Sequence, residues 1–543
     1  MKNFLPCLKG LFGLLAPVWG RLLVCTLVYL LEAGAGLAFV WYSKEVVDLA
    51  ISGGELTRSV LLLVCIMAFQ VVCRIVSRYL EGYVLTKAKL DIRARAFSKA
   101  LRSRWQGRDK YHSADVVNRL EEDIRVVSEF VCSSLPQCFV TVVQLIAAVA
   151  MLFSLSSSLA WILVWIMPVA VLAARLFFRR MRRISSDLRN IDGNIQGHIQ
   201  EHLQNRALVK SLSCESAIEN GLDSLQDEEL RLTRKRLNYS AISRSFMQLG
   251  FSAGYLTAFL WGVFGLRDGS VTYGLMVAFL QLVGQVQRPV ATMASYIPAF
   301  IKALSSEDRL LDIDSMPQDS GESFSALGMV PELRVEKLTF HYEGRSRMIF
   351  QDFDCVFESG RLTAVCGPTG RGKSTLANLI LGLLSPVSGR ILLCGADGSS
   401  VECGPSTRRN FMYVPQGNSL LSGSIRANLL LAKPDASEEQ MRDALYTAAA
   451  EFVFDLPQGL DTACSEVGRG LSEGQAQRIA IARALLHEGG VLILDEATSA
   501  LDIETEELVL QRLCERYRGK RTIICITHRM AAARLADSLV TLQ

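Results

Sequence analysis

Gly367-Pro368-Thr369-Gly370-Arg371-Gly372-Lys373-Ser374-Thr375 decides how this chain has to be read. The stretch fits the pattern G-x-x-x-x-G-K-[ST] and has the flanks that pattern needs. Leu362 to Cys366 reads as a buried strand, and Leu376, Leu379, Ile380 and Leu383 recur at helical spacing behind it. The motif is therefore a strand, a loop and a helix. Gly367, Gly370 and Gly372 let the loop wrap closely around a phosphate chain. Backbone N–H groups of the loop and of the helix start, through Thr375, point at its negative charge. Lys373 neutralises the terminal phosphates and Ser374 offers a hydroxyl to Mg²⁺, so the expected ligand is a nucleoside triphosphate.

The rest of the composition says that this site is not the whole protein. A chain of 543 residues, half of them apolar, has room for more than one domain, and a mean hydropathy of +0.26 is high for a protein living in water. All six tryptophans, Trp19, Trp41, Trp105, Trp161, Trp165 and Trp261, lie in the first half, which separates two differently built parts. A net charge of +4 is too small to argue for nucleic acid. Fourteen cysteines occur without C-x-x-C pairs, so neither a zinc site nor a disulfide framework is expected.

Met1 to Gly20 carries Lys2 and Lys9 and an apolar run broken by Gly10, Gly13 and Pro17, and reads as an interfacial helix entering a membrane span, not as a cleaved leader. Six apolar runs follow, near Leu22–Tyr42, Ser59–Tyr79, Leu135–Leu155, Leu159–Phe178, Phe246–Leu266 and Val271–Val290. Each approaches the roughly 20 residues that cross a bilayer. The connections 80–134 and 179–245 are long and read as continuous amphipathic helices. The first holds Lys87, Lys89, Arg93, Arg95 and Lys99, and the second opens on Arg179-Arg180-Met181-Arg182-Arg183. The positive-inside rule places both, and the N-terminus, in the cytoplasm. Within the spans Glu32, Gln70, Gln144, Gln248, Gln281 and Gln285 are costly in lipid. A polar path or helix-to-helix hydrogen bonds would each account for the glutamines, whereas the carboxyl of Glu32 is read as lining a path.

Asp312 to Pro331 is polar and turn-rich and reads as a linker, which divides the chain into 1–311, the linker 312–331 and 332–543. The last part alternates short apolar strands with helices, an α/β pattern. There Val491-Leu492-Ile493-Leu494 is a buried strand ending in Asp495-Glu496, and such carboxyl ends are where parallel sheets bind ligands. One carboxylate can hold the Mg²⁺ shell while the other polarises the attacking water.

With Gly470-Leu471-Ser472-Glu473-Gly474-Gln475 upstream of those acids, nearly the whole chain resembles an ABC transporter half of the six-span exporter type. The resemblance implies an all-α six-helix transmembrane domain followed by an α/β P-loop NTPase domain. It implies ATP and Mg²⁺, head-to-tail pairing of two nucleotide domains, and Ser472, Gly474 and Gln475 closing over the partner's ATP. Tyr342 matches the aromatic that stacks on adenine, Gln416 the glutamine that touches Mg²⁺ and water, Asp502 in Ser499-Ala500-Leu501-Asp502 the loop crossing the dimer interface, and His528 the histidine at the γ-phosphate. Glu496 would be the general base, and Ser374, Gln416 and Asp495 the metal ligands. Ser113–Leu120 and Leu208–Leu212 resemble the loop tips that dock on nucleotide domains.

Departures are Glu473 for the commoner glycine, Arg371 at a usually small position, and Ser465 where Gly is usual; a short C-terminal tail is also expected, Gln543 following soon after His528. The implied function is a multi-pass ATP-driven exporter of the cell membrane. It would work as a dimer, homodimer favoured, with its ATP domain in the cytoplasm and a lipid, drug or peptide as cargo. An importer of the same architecture and a non-transporting regulatory ATP-binding membrane protein are the alternatives.

Overall fold

The computed structural model describes residues 18–105, 113–319, 330–342, 347–368, 370–464 and 470–542. The expected interfacial helix before residue 18, the stretch Ser465 to Gly468 and Thr369 of the phosphate loop lie outside them. Two compact units result, Met1–Phe97 with Val117–Asp314, and Ser98–Val116 with Ser315–Gln543.

The first unit is built from helices α1 (Trp19–Ser52), α2 (Thr57–Arg102), α3 (Ser113–Asn118), α4 (Ile124–Glu129), α5 (Leu135–Leu155), α6 (Ser157–Gln204), α7 (Arg206–Leu212), α8 (Glu215–Arg267) and α9 (Tyr273–Asp314), of which α2 and α3 also reach into the second unit. At 1.5 Å per residue α2, α6 and α8 run roughly 70–80 Å, more than twice the hydrocarbon thickness. They can cross a bilayer and still project far beyond it. Among the described residues four helices are long and apolar enough to span, Trp19–Ser52, Thr57–Arg102, Val116–Leu155 and Glu215–Arg267. The two remaining apolar runs fall in α6 and α9. Gln281, Gln285, Arg288 and two internal prolines dilute the hydropathy of α9.

Neither long connection is one unbroken helix. The second reverses in two steps, at Asn205 and at Ser213, whose φ of +50° sends its N–H back to the carbonyl of Lys210 and ends α7. Helical periodicity continues across such a break, but the chain cannot return to the bilayer without it. The short α7 leaves Leu208 and Leu212 exposed. At the outer ends of α1 and α9 the approach is close enough to require a glycine. Gly274 donates its N–H to Asp48 Oδ1 at 3.0 Å, and a Cβ there would sit 2.2 Å from the carbonyl oxygen of Lys44.

Two π-helical turns, Arg119–Asp123 and Phe130–Ser134, connect α3, α4 and α5. The buried Arg119 donates to the carbonyl of Arg309 at 2.9 Å and to Asp312 at 3.3 Å, while the buried Asp123 accepts from Arg309. Removing the guanidinium of Arg309 would strand a desolvated carboxylate, which costs more than the about 1–3 kcal/mol of a neutral orphaned group. Arg309→Ala should therefore lower the thermal midpoint of the detergent-solubilised protein by several degrees. An unchanged midpoint would mean that Asp123 is rescued by water.

In the second unit β1 (Glu332–Phe340), β2 (Phe350–Phe357), β4 (Ser388–Cys394) and β5 (Ser400–Glu402) form an antiparallel sheet in the order β2-β1-β4-β5. A parallel sheet has the order β11-β3-β10-β9-β6, from β3 (Leu362–Cys366), β6 (Phe411–Val414), β9 (Val491–Asp495), β10 (Thr522–Ile526) and β11 (Ser538–Thr541), and β7 (Gly423–Ser424) pairs with β8 (Ala463–Cys464) in a short antiparallel ribbon. Every residue of β9 and β10 is buried, as expected for parallel strands covered on both faces. Helices α10 (Lys373–Ile380), α11 (Ile425–Leu430), α12 (Glu438–Thr447), α13 (Glu473–Leu486), α14 (Ile503–Tyr517) and α15 (Met530–Leu535) complete the domain.

The stretch read as a linker starts as the end of α9, helical to Asp314. It is then pinned. Arg104 N–H donates to Pro317 O at 2.8 Å, Asp319 N–H donates to Arg102 O at 2.9 Å, Asp319 pairs with Arg408, and Trp105 packs on the core beneath the antiparallel sheet.

Candidate nucleotide site

Strand order turns four distant sequence motifs into neighbours. In the parallel sheet β3, β10, β9 and β6 lie side by side, with Ile526 level with both Val365 and Asp495, and Val414 level with Leu494. The segments leaving these four carboxyl ends carry the phosphate loop, His528, Asp495-Glu496 and Gln416 respectively. Ligands of open parallel sheets bind at such an edge.

The phosphate loop ends at Gly372, whose φ of +93° lies in the left-handed region, and a Cβ there would meet Ile349 at 2.5 Å and Phe350 at 3.0 Å. Lys373, the first residue of α10, is buried and curls its ammonium back over the loop, donating to the carbonyls of Gly367 at 2.8 Å and Pro368 at 3.3 Å. Gly370 also has a positive φ, +83°, and open space at its Cβ position. Backbone conformation and close packing together demand glycine at 372. For Gly372→Ala the left-handed strain alone is about 1–2 kcal/mol, and the clash would displace the loop. Fluorescent-nucleotide titration should find binding lost in a folded protein; wild-type affinity would show that loop shape does not govern binding.

Two carboxylates face the loop in different environments. Asp495 is buried, accepts from Ser374 Oγ at 3.1 Å and from Tyr413 Oη at 3.4 Å. Burial pushes its carboxyl above the usual range, partly offset by the Ser374 hydrogen bond. A hydroxyl, a carboxylate and the nearby amide of Gln416 are hard oxygen donors of the kind Mg²⁺ takes, and a cation there would relieve the burial that disfavours the ionised Asp495. The donor set fits the metal.

Glu496 follows with φ of +49°, strained for a residue with a Cβ, and its N–H donates to Ile526 O at 2.9 Å. That backbone turn throws the side chain out of the sheet edge. One carboxylate oxygen accepts from Gln416 Nε2 at 2.7 Å; the other lies 3.8 Å from His528 Nδ1 and 3.9 Å from Lys373 Nζ. Glu496 thus sits at the centre of the three groups expected around a γ-phosphate and its water. Tyr342 donates to or accepts from Thr375 Oγ1 at 3.2 Å and packs edge-on against Phe340, so it stands over the start of α10.

The other expected residues gather elsewhere. Ser472 caps α13 by accepting from Gln475 N at 3.2 Å, and its own N–H donates to Gln475 Oε1 at 2.8 Å. Gly474 abuts the Ser499–Asp502 loop, since a Cβ would lie 2.9 Å from Ala500 O, and Asp502 caps α14 through Thr505 N at 2.9 Å. Among the described residues no hydrogen bond or ion pair joins Ser472, Gly474, Gln475 or Asp502 to the phosphate loop.

Residues beyond the sequence reading hold these loops. Gln477 bonds Ser499 Oγ and Ala500 N, and Arg529 ties Ser499 O and Leu501 O to the buried Glu506. Tyr413, bonded to Asp495, lies three residues before Gln416; an aromatic with a hydroxyl one strand position from that motif was the available signal.

Comparison with known proteins bears on the whole chain. A family model described as the ABC transporter transmembrane region matches residues 22–290, and a second, described as ABC transporter, matches residues 350–499. The chain belongs to the ABC transporters. Both parts occur on one polypeptide, in the order of a half-transporter. An ABC multidrug transporter of Aspergillus fumigatus is 31% identical over 80% of this chain, which spans 55% of that relative's length. A fatty acid ABC transporter ATP-binding/permease protein of Mycobacterium tuberculosis is 29% identical over 80% of this chain and 69% of its own. An ATP-binding/permease protein of Bacillus subtilis is 26% identical over 100% of this chain and 94% of its own. Among solved structures, a bacterial Atm1-family ABC exporter with ATP bound superposes with a TM-score of 0.79 at 24% identity, covering 96% of this chain and 94% of that one, a likeness of fold. This ABC transporter chain is a multi-pass integral membrane protein.

Proposed function

We propose that the chain is one half of an ATP-driven exporter in the cell membrane, working as a dimer with its nucleotide domains in the cytoplasm. The convergence of Lys373, Ser374, Asp495, Gln416, Glu496 and His528 at one sheet edge carries this reading. The relatives named as multidrug and fatty acid transporters support an amphipathic cargo.

In this reading the loop amides and Lys373 bind the phosphates, and Ser374, Asp495 and Gln416 would hold Mg²⁺. Bound there, the metal would neutralise charge on the β- and γ-oxygens. Glu496 accepts a proton from the attacking water, Gln416 fixes the carboxylate that does so, and His528 with Lys373 faces the charge that develops on the γ-phosphate. Ser472 and Gly474, presented at the start of α13, meet the ATP of the partner subunit. ATP binding closes the two nucleotide domains and hydrolysis releases them, so the membrane helices alternate between two global states.

The test is ATP-dependent uptake of amphipathic probes into inside-out proteoliposomes, with ATPase measured on the same vesicles. Accumulation that stops with ATP removed supports export. ATP hydrolysis with every probe excluded, at any lipid composition, would favour the regulatory alternative.

A further inference from the structure

Four membrane helices line a partly open cavity of about 310 Å³ whose wall is polar although it lies at the level of the apolar runs. Its charged side chains are Glu32 from α1, Arg74 from α2 and Arg288 from α9, and its amides include Gln70, Gln144 and Gln285. Counted from the outer ends of α2 and α9, Arg74 and Arg288 lie at about the same depth, roughly 23–26 Å in, toward the cytoplasmic half of the bilayer.

On the cavity wall itself the charges do not cancel, one carboxylate standing against two guanidinium groups. Glu32 is taken by Arg74, 2.9 Å away, and accepts from Ser77 at 3.3 Å. Glu81, the first acid of α2, lies outside the cavity lining and accepts from the neutral donors Tyr29 at 2.5 Å, Gln137 at 3.1 Å and Ser133. Arg288 has no carboxylate: among the described residues its guanidinium makes no ion pair and no hydrogen bond. An arginine at membrane depth is expensive unless water or an anion meets it, and here it faces a cavity large enough for a small ligand. Its neighbour Pro289 has no N–H to give to the carbonyl of Gln285, which adds an acceptor at the same place. Gly36 makes room for the amides, since a Cβ there would come within 3.2 Å of Gln70 Nε2 and 3.7 Å of Gln285 Nε2.

We propose that this cavity binds the anionic group of the cargo, a carboxylate or phosphate on a small organic molecule, with Arg288 as its counter-charge and the glutamine amides hydrogen-bonding its polar substituents. This rests on the exporter reading and narrows its substrate class. A neutral hydrophobe finds little apolar wall here, and a cation meets an uncompensated positive charge. The anion can arrive dissolved in the cytoplasm or as the headgroup of an acidic amphiphile in the inner leaflet; the chemistry of recognition is the same.

Proteoliposomes test this with four probes: carboxyfluorescein as a soluble anion, oleate as a membrane anion, tetraphenylphosphonium as a cation and a neutral hydrophobic dye. At least one anion should stimulate ATPase and be moved, and which one does so identifies the source. Arg288→Gln should raise the half-stimulating anion concentration about ten- to hundredfold, the loss of one charge-assisted contact. Arg288→Lys should recover most of it, and Arg288→Glu should admit tetraphenylphosphonium, which a merely structural arginine would not bring about. Gly36→Leu, which fills the cavity without changing its charge, should weaken stimulation for either anion. The assignment is overturned if neither anion stimulates, if the cation does so as well as the anions, or if Arg288→Gln leaves the anion response unchanged. Should the neutral dye alone be moved, the exporter reading stands and only the anion site falls; if nothing is moved by an ATP-hydrolysing protein, both fall.

Discussion

Glu496→Gln is expected to lower ATP hydrolysis by about 10²–10⁴-fold, the usual worth of a general base, while nucleotide binding survives. The amide keeps the length and planarity of the carboxylate and can still accept from Gln416 Nε2, which now lies 2.7 Å from Glu496. The backbone need not change either, because the φ of +49° at this position is no worse for glutamine than for glutamate. What disappears is the ability to take a proton from water. Lys373, with its contacts to Gly367 and Pro368, and Ser374 with Asp495 are untouched, so the phosphates should still be held. Steady-state ATPase and fluorescent-nucleotide affinity on one preparation read the two effects separately. Hydrolysis near the wild-type rate would remove Glu496 from the role of base and leave His528, 3.8 Å from it, as the next group to examine. Loss of binding together with hydrolysis would mean that the Glu496 charge holds Lys373 in place.

The nucleotide site was legible because its parts obey local grammar. A buried strand, a glycine-rich loop and a lysine before a helix announce themselves within fifteen or so residues, and Asp495-Glu496 closes a strand in the same way. What the residues alone could not state was adjacency. Gln416 reaches Glu496 only because β6 lies beside β9, and His528 reaches it only because β10 lies on the other side, contacts fixed by sheet order and not by spacing. Tyr413 escaped notice for the same reason, its partner Asp495 being 82 positions away.

The membrane part was legible at the level of hydropathy and less so in detail. Each apolar run falls essentially within a helix, yet the reversals at Asn205 and Ser213 were invisible, since amphipathic periodicity is the same on both sides of a tight turn. Glu32 stood out as an acid within a span, but its neutralisation by Arg74, 42 positions on, belongs to packing. Gln144 and Gln285 do hydrogen-bond between helices, at 2.7 Å, and they also line the cavity, so the two explanations offered for such residues are not exclusive.

The largest effect on the assembled transporter should appear when two inactive chains are mixed. Lys373 stands over the phosphate loop, whereas Ser472 caps α13 and, among the described residues, makes no bond to that loop, as a residue serving the partner's ATP would. Each site of a head-to-tail dimer then takes its lysine from one chain and its signature serine from the other. Homodimers of Lys373→Ala or of Ser472→Ala damage both sites and should lose nearly all ATPase. In the mixed dimer one site collects both lesions and the other none, so coexpression should restore nucleotide trapping at one site per dimer, and turnover if a single intact site can cycle. The serine variant needs a control, because Ser472 Oγ also caps α13 through Gln475 N, and losing a cap costs about 0.5–2 kcal/mol. Ser472→Asn keeps a capping oxygen while removing the hydroxyl; if it behaves as Ser472→Ala does, the defect lies at the nucleotide and not in the helix. Full activity in either homodimer would rule out the head-to-tail arrangement. A wild-type chain that neither dimerises nor hydrolyses ATP alone would instead make the partner a different half-transporter, and the complementation would then have to be run across that pair.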